Sequence, residues 1–598
     1  MAQSRHTWSE DQEHVGLRRR KVVSVLLVVL FAVFAARIVL VQAVQGPALA
    51  EQARSERLRT YTIEAPRGAI LDTRGEVLAM SGERVNVAVN QRAVARFLHT
   101  EDGEVVGTGA AAAAKLLAPI LGRDRFELGG EMVGDSTWHY LVKDLQPSQW
   151  REIRELGIPG IEPEWIAVRE YPNGPTAGNV VGFTGRDHFG LGGLEQAYNE
   201  TLTGVPGSET VEIGNGGQVI PTGTNELTEA LPGATLNTTI DRDLQYLAQQ
   251  QVDEAVRTYG AQWAAVAVME VGTGNVLVLA DSGTVDPNNP GASNTSDRGA
   301  RSVTSPYEPG STGKLLTVAA ALNEGVITPS STFHVPGQAT INGQVFREHT
   351  WHEPLDLTPT GVLATSSNIG TIEIGRLMDD EVRYQYMRDF GFGERSGIGL
   401  PGESPGLLTI PDPHDGRTRF VNMFGQGYAI TLIQNVAMVA TIGNGGVYQT
   451  PRLVSSIENG DGTITYPEFP EDRTVLTPET SETLLAMMES VVTEGGTGTR
   501  ADIDGYRVAG KTGTAQTADA SGQLTQTVAN FVGIVPADNP RFAVAVVVYK
   551  PQSGFYGGTI AAPIFQTVAR DALTRYGVAP SETPPPQLPW TADGRTTL

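Results

Sequence analysis

Residues 307–314 read YEPGSTGK, and what Ser311 does in this stretch decides what the rest of the chain must be. A serine hydroxyl is a weak nucleophile until a base takes its proton. Ser311 precedes Lys314 by three residues, at the start of a predicted helix that runs through LLTVAAALNEG to a stop at Gly325. That spacing sets both side chains on one helix face, within reach of each other. Lysine serves as a base only where burial or nearby positive charge lowers its pKa. The chain has six lysines, and no other has a serine three residues before it. GSTGK also resembles a phosphate loop, but that loop needs Gly at 308 and Ser or Thr at 315, where this chain has Glu308 and Leu315.

Two further elements follow in order: Ser366-Ser367-Asn368 and then Lys511-Thr512-Gly513-Thr514. S-x-x-K, S-x-N and K-T-G in that order are a signature of enzymes that acylate a serine. Two of the six lysines fall inside the set. The bulk composition agrees with such chemistry in a non-reducing compartment. There is no cysteine, which excludes disulfides, thiolate catalysis and Cys-ligated metal. The net charge of −23 opposes nucleic acid binding. His349 and His352 stand with two residues between them in EHTWHE, a spacing that completes no metal site.

Val22 to Val44 is apolar except for Ser24, Arg37 and Gln42. At about 1.5 Å per residue, its 23 positions cover a hydrocarbon core of about 30 Å. Arg18, Arg19, Arg20 and Lys21 precede it, so the positive-inside rule keeps residues 1–21 cytoplasmic and sends the remainder outside. Length favours an uncleaved anchor over a signal peptide.

Residues 45–235 mix short strand-like runs with Gly/Pro turns, and an Ala-rich helix is expected over Gly109 to Leu117. From about Leu236 the texture changes. Trp263 to Ala280 reads as two apolar strands joined at Gly272-Thr273-Gly274. Three strand-like runs come late, at Tyr506 to Gln516, Val528 to Val535 and Arg541 to Tyr549, before a helix over Ala561 to Tyr576. Strands, then helices, then strands predict an α+β domain with an antiparallel sheet over 236–578. Strict alternation sets Lys511 on the face opposite Thr512 and Thr514. The Pro-rich tail 579–598 is expected to be disordered or extended.

These motifs resemble those of class B penicillin-binding proteins over nearly the whole chain. PRGAILDTRGEVLA (66–79), REYPNGPTAGNVVGFTG (169–185) and GLGGLEQAYNETLTG (190–204) are similar to the family's N-terminal motifs. LNTTIDRDLQ (236–245) leads into the catalytic part. FGFGERSGIGLPGE (390–403), FGQGYAITLIQ (424–434) and the run 491–516 look like the septal, division-specific branch. The resemblance implies a single N-terminal transmembrane helix, an elongated N-terminal pedestal (dimerisation) domain, and a transpeptidase domain with a five-stranded antiparallel sheet flanked by helices.

The resemblance also implies the roles. Ser311 would attack the penultimate D-Ala of a stem peptide ending in D-Ala-D-Ala, and β-lactams would acylate the same serine. Lys314 would take its proton, Ser366 would relay it to the leaving amine, and Asn368 would hold the substrate amide. Lys511 would supply positive charge, and Thr512 and Thr514 would bind the terminal carboxylate. The backbone N–H groups of Ser311 and Thr514 would form the oxyanion hole, with Gly513 letting backbone approach substrate. Its partners would be a SEDS-type glycan polymerase and divisome membrane proteins. No cofactor is implied, because Ser/Lys acyl transfer is complete without one. An elongation-specific transpeptidase and a non-catalytic β-lactam-binding scaffold or sensor are the alternatives.

Overall fold

The structure is a computed structural model that describes residues 10–213, 220–410, 415–517, 523 and 525–598. The chain divides into two compact units: Met1–Ala65 with Val205–Leu231, and Pro66–Gly204 with Pro232–Leu598. In the first, a helix over Glu10–Val39 passes through a π-helical turn, Leu40–Gln45, into a helix over Gly46–Arg57. Pro47 accounts for the loosened turn, since its ring lacks an N–H and crowds the carbonyl four residues back. Among the described residues this is the one helix long and apolar enough to cross a membrane, with mean hydropathy 2.8 in its most apolar window. The antiparallel strands Leu58–Ile63, Gly207–Glu212 and Asn225–Thr228 follow it.

The second unit opens with strands Ile70–Leu71, Val77–Val89, His139–Leu145 and Ile161–Glu170, whose sheet continues through Thr235–Thr238 and Val454–Glu458. The Ala-rich helix forms over Gly109–Leu121 and ends at left-handed Gly122. Its Ala112, Ala113, Ala114 and Leu117 pack in one cluster with Val85, Val87 and Leu141. The three N-terminal motif segments meet at Glu195, which is wholly buried. Arg67 Nε and Arg169 Nε each lie 2.6 Å from one of its carboxylate oxygens, and Arg169 Nη1 donates to Gly68 O at 2.8 Å. A planar guanidinium on each oxygen satisfies a charge that burial would otherwise make costly.

The catalytic part runs α1 (Arg242–Tyr259), β1 (Trp263–Glu270), β2 (Val276–Asp281), α2 (Lys314–Asn323), α3 (Pro359–Ala364) and α4 (Asn368–Gly375). It continues with α5 (Leu432–Gly443), α6 (Pro478–Glu489), β3 (Ala509–Thr517), β4 (Gln526–Val535), β5 (Phe542–Tyr549) and α7 (Ala562–Arg575). The expected hairpin is β1–β2, and the three late runs are β3, β4 and β5. They form one five-stranded antiparallel sheet in the order β2-β1-β5-β4-β3. Alternation along β1 feeds two cores. Ala265, Ala267 and Met269 face Val436 and Val439 of α5, while Ala264, Val266 and Val268 join Leu244 and Val252 of α1 and Phe565 and Val568 of α7. Helices on both faces explain why these strands read as continuous apolar runs.

The tail 579–598 is extended, one of the two expected states, and it is packed against the domain. Trp590 is among the largest fully buried side chains. Thr358 N donates to Trp590 O at 2.9 Å and Thr358 Oγ1 to Pro589 O at 2.6 Å, while Ala592 N donates to Asp356 O at 2.9 Å. Prolines hold the backbone extended at little entropic cost, and one indole buries enough apolar area to seat it. Thr358 caps α3, so the tail is fastened to the helix that leads into Ser366.

Two substitutions test these cores. Trp590→Ala lowers stability by about 3–5 kcal/mol through the cavity it leaves, read as a displaced denaturant midpoint. Glu195→Ala costs about 3–5 kcal/mol because two buried guanidinium groups lose their counter-charge, and the same titration measures it.

Candidate active site

Ser311 lies on a short 3-10 turn, Gly310–Gly313, that passes directly into α2 at Lys314. The turn is wedged tightly. Gly310 has φ +55° and its N–H donates to Gly425 O at 2.8 Å. A Cβ on Gly425 would fall 1.7 Å from Gly310 O, so FGQG can approach the serine turn only as glycine. Thr312 Oγ1 donates to Pro309 O at 3.0 Å, closing the turn from below.

Lys314 is wholly buried, and its Nζ donates to Ser366 Oγ at 3.2 Å and to the Ser366 carbonyl. Burial pulls its pKa down to about 7, against the opposing pull of the Glu348 carboxylate. Lys511 on β3 is equally buried, and burial first and the charge of Lys314 second push its pKa down. The structure thus brings Lys314, Ser366 and Lys511 into one electrostatic unit, with Ser311 on the turn that begins α2.

Ser366 lies between α3 and α4 with φ +58°, the left-handed position that usually ends a helix with glycine. A serine held there stores strain of about 1–3 kcal/mol, a pattern that clusters at functional sites. Ser367 caps α4 by accepting from Gly370 N at 2.8 Å. Asn368 Nδ2 donates to Arg347 O at 3.2 Å.

β3 is the edge strand of the sheet, which leaves one side of Lys511–Thr514 open to an extended peptide. Strict alternation is overcome by side-chain length rather than by a bulge. Lys511 Nζ reaches back to Thr512 O at 3.2 Å and Thr512 Oγ1 at 3.4 Å, which four flexible carbons permit. Thr512 Oγ1 also lies 2.9 Å from Thr497 Oγ1, and Thr514 Oγ1 accepts from Gly557 N at 3.2 Å. Gly513 has a role that sequence reading did not give it. A Cβ there would fall 2.1 Å from Asn530 Oδ1 on β4. Asn530 Nδ2 in turn donates to Pro309 O at 3.1 Å. The missing side chain makes room for an amide that ties the sheet to the serine turn.

Asn530 and Glu348 were not singled out from sequence. Asn530 sits in the run QTVANFVGIV (526–535), where a polar residue amid apolar neighbours was the available signal. Glu348 stands beside the histidine pair that drew attention instead. His349 packs edge-on against Tyr556, with ring centroids 5.1 Å apart, and His352 Nδ1 lies 2.8 Å from Glu353 O.

Comparison with known proteins places this geometry. Residues 264–570 match the penicillin binding protein transpeptidase domain, and residues 62–238 match the penicillin-binding protein dimerisation domain. Penicillin-binding protein PbpB of Mycolicibacterium smegmatis is 34% identical over 98% of this chain and 95% of its own length. Peptidoglycan D,D-transpeptidase FtsI of Escherichia coli is 31% identical over 91% of this chain and 89% of its own. Among solved structures, a peptidoglycan synthetase from Bifidobacterium adolescentis is 35% identical with a TM-score of 0.71, over 90% of this chain and 100% of that one. Penicillin binding protein 3 from Mycobacterium tuberculosis, complexed with aztreonam, is 28% identical with a TM-score of 0.68, over 89% of this chain and 100% of that one. The chain belongs to the penicillin-binding protein family, with the dimerisation domain preceding the transpeptidase domain.

Proposed function

We propose that this protein is a membrane-anchored class B peptidoglycan D,D-transpeptidase of the division septum, acylated on Ser311. The observation that carries the reading is the buried Lys314 amine, three residues from Ser311 on the same turn and bonded to the Ser366 hydroxyl. A lysine drawn down to about 7 is a competent base at neutral pH.

Ser311 Oγ attacks the carbonyl of the penultimate D-Ala while Lys314 accepts its proton. The C–N bond to the terminal D-Ala breaks, and its nitrogen receives a proton through Ser366. An ester on Ser311 remains. The amine of a second stem peptide then attacks that ester, forming the cross-link and returning the proton to Ser311. Asn368 holds the donor peptide's amide, and Lys511, Thr512 and Thr514 receive the terminal carboxylate. The N–H groups of Ser311 and Thr514 stabilise the oxyanion, a donor set in which each member is worth about 2.7–4 kcal/mol. Gly513 keeps the strand close to substrate. A β-lactam enters the same path, its ring amide taking the place of the D-Ala-D-Ala bond. The aztreonam and ampicillin complexes of the Mycobacterium tuberculosis relative support that reading.

Residues 1–21 remain cytoplasmic behind Arg18–Lys21, 22–44 cross the membrane, 45–235 form a non-catalytic pedestal, and 236–578 form the extracytoplasmic transpeptidase domain, closed by 579–598. The septal assignment rests on the 390–403, 424–434 and 491–516 motifs and on likeness to the relatives PbpB and FtsI. Its partners are a SEDS-type glycan polymerase and divisome membrane proteins.

A fluorescent penicillin labels the wild type and not Ser311→Ala; equal labelling would refute the nucleophile. The acylation rate rises tenfold per pH unit below about 7 and levels above it, because Lys314 must be neutral to act and becomes so as pH rises. A rate that falls across that range would assign the base elsewhere. A fluorescent fusion concentrates at the septum; a uniform side-wall signal would move the protein to the elongation branch.

A further inference from the structure

The S-x-N turn is held from a direction the catalytic motifs do not supply. Glu348 follows the strand Gln344–Arg347, and its own N–H donates to Gly337 O at 3.1 Å, so its backbone is anchored. Its carboxylate accepts three donors from consecutive residues. Oε1 takes Ser367 Oγ at 2.7 Å and Ile369 N at 2.8 Å, and Oε2 takes Asn368 N at 3.0 Å. The preceding carbonyl, Arg347 O, takes Asn368 Nδ2 at 3.2 Å.

Resting on the transpeptidase reading above, we propose that Glu348 is a positioning residue for acylation, clamping Ser367, Asn368 and Ile369 so that Ser366 and Asn368 keep their places at Lys314. Three considerations favour this over a simple helix cap. Ser367 Oγ already caps α4 through Gly370 N, so the first turn has a neutral cap without Glu348. Ser366, one residue upstream, is held in a left-handed conformation that its surroundings must over-determine. Lys314 grips Ser366 from one side and Glu348 grips the next three residues from the other. An anion bonded to backbone N–H groups is also stiffer than a neutral acceptor, because charge-assisted bonds are shorter and stronger.

The clamp has an electrostatic consequence. The Glu348 carboxylate favours the protonated form of Lys314, opposing burial. Lys511 on β3 is a further charged group acting with Lys314, while Glu308, ahead of the serine turn, accepts from Gly427 N. On the packed helices Glu373 pairs with Arg376, Asp380 with Arg383, and Glu489 with Arg507. Beside Glu348 itself, Arg347 Nε donates to Gln338 and His349 lies against Tyr556. Removing the carboxylate therefore lets Lys314 lose its proton at lower pH.

The test uses the full-length protein in detergent and a fluorescent penicillin, with the limiting acylation rate and the saturation constant measured against pH. Glu348→Gln presents an amide NH2 where a carboxylate oxygen accepted a backbone N–H. Its limiting rate is expected to fall about tenfold to a hundredfold, the scale of a misplaced reacting group, with the saturation constant little changed. The acid limb of its profile moves to lower pH, which a purely structural role would not produce. Glu348→Asp keeps the charge and shortens the reach, so its rate falls while its acid limb stays in place. A Glu348→Gln profile within twofold of wild type, with an unmoved limb, overturns the proposal. So does a loss confined to the saturation constant. If Glu348→Gln does not accumulate as folded protein, Glu348→Asp decides, and an unchanged limiting rate refutes the clamp. Peptide mapping of the acylated wild type separates the two readings: an acyl group away from Ser311 refutes the nucleophile, whatever the Glu348 variants do.

Discussion

Lys314 and Lys511 place two amines beside each other with neither exposed to water, and desolvation and mutual repulsion both oppose their charging. Each amine still needs acceptors, and the fold provides them from the backbone outward: the Ser366 carbonyl and hydroxyl for Lys314, and the Thr512 carbonyl and hydroxyl for Lys511. The charge of Lys314 adds to burial in holding the Lys511 pKa down. A surface lysine would be charged at neutral pH and useless as a base. The lowered pKa values therefore depend on a core that closes over two amines, and polar atoms here sit among tightly packed glycines.

Those glycines are consequences of the same constraint. Gly425 lets its loop touch Gly310 O, Gly513 leaves room for the Asn530 amide, and Asn530 bridges to Pro309 O. Together they draw the serine turn, the FGQG loop and the sheet edge within backbone contact, and neither lysine is exposed. Ser366 breaks the usual rule at this site, a serine where a glycine would be easier.

The segment that matches the dimerisation domain uses the opposite solution for a buried charge. Glu195 is ionically paired to two arginines, so the three N-terminal motifs are joined through a satisfied anion. The tail adds a third device, an indole seated against the helix that leads to Ser366. One buried ionisable group has its charge suppressed by burial; the other keeps its charge and is made structural by pairing it with two arginines.

Periodicity and motif order were enough to read the β1–β2 hairpin, the three late strands, the Ala-rich helix and the apolar N-terminal helix, because burial on both faces or one face writes itself into local sequence. Ser311, Lys314, Ser366, Asn368 and Lys511 to Thr514 stood out for a different reason, motif order and residue type, and the fold brings Lys314, Ser366 and Lys511 together. Glu348 and Asn530 were not legible, since each acts on residues far along the chain, and a lone acid or amide carries no spacing. The extended tail was legible but its packing was not, because proline content signals the absence of helix and says nothing of the pocket that Trp590 fills in the folded domain. Lys511 reaches Thr512 despite strand alternation because side-chain length, not backbone parity, sets where an amine ends. Above all, Lys314 is a lysine in any sequence; its pKa falls toward neutrality only because tertiary packing buries the amine.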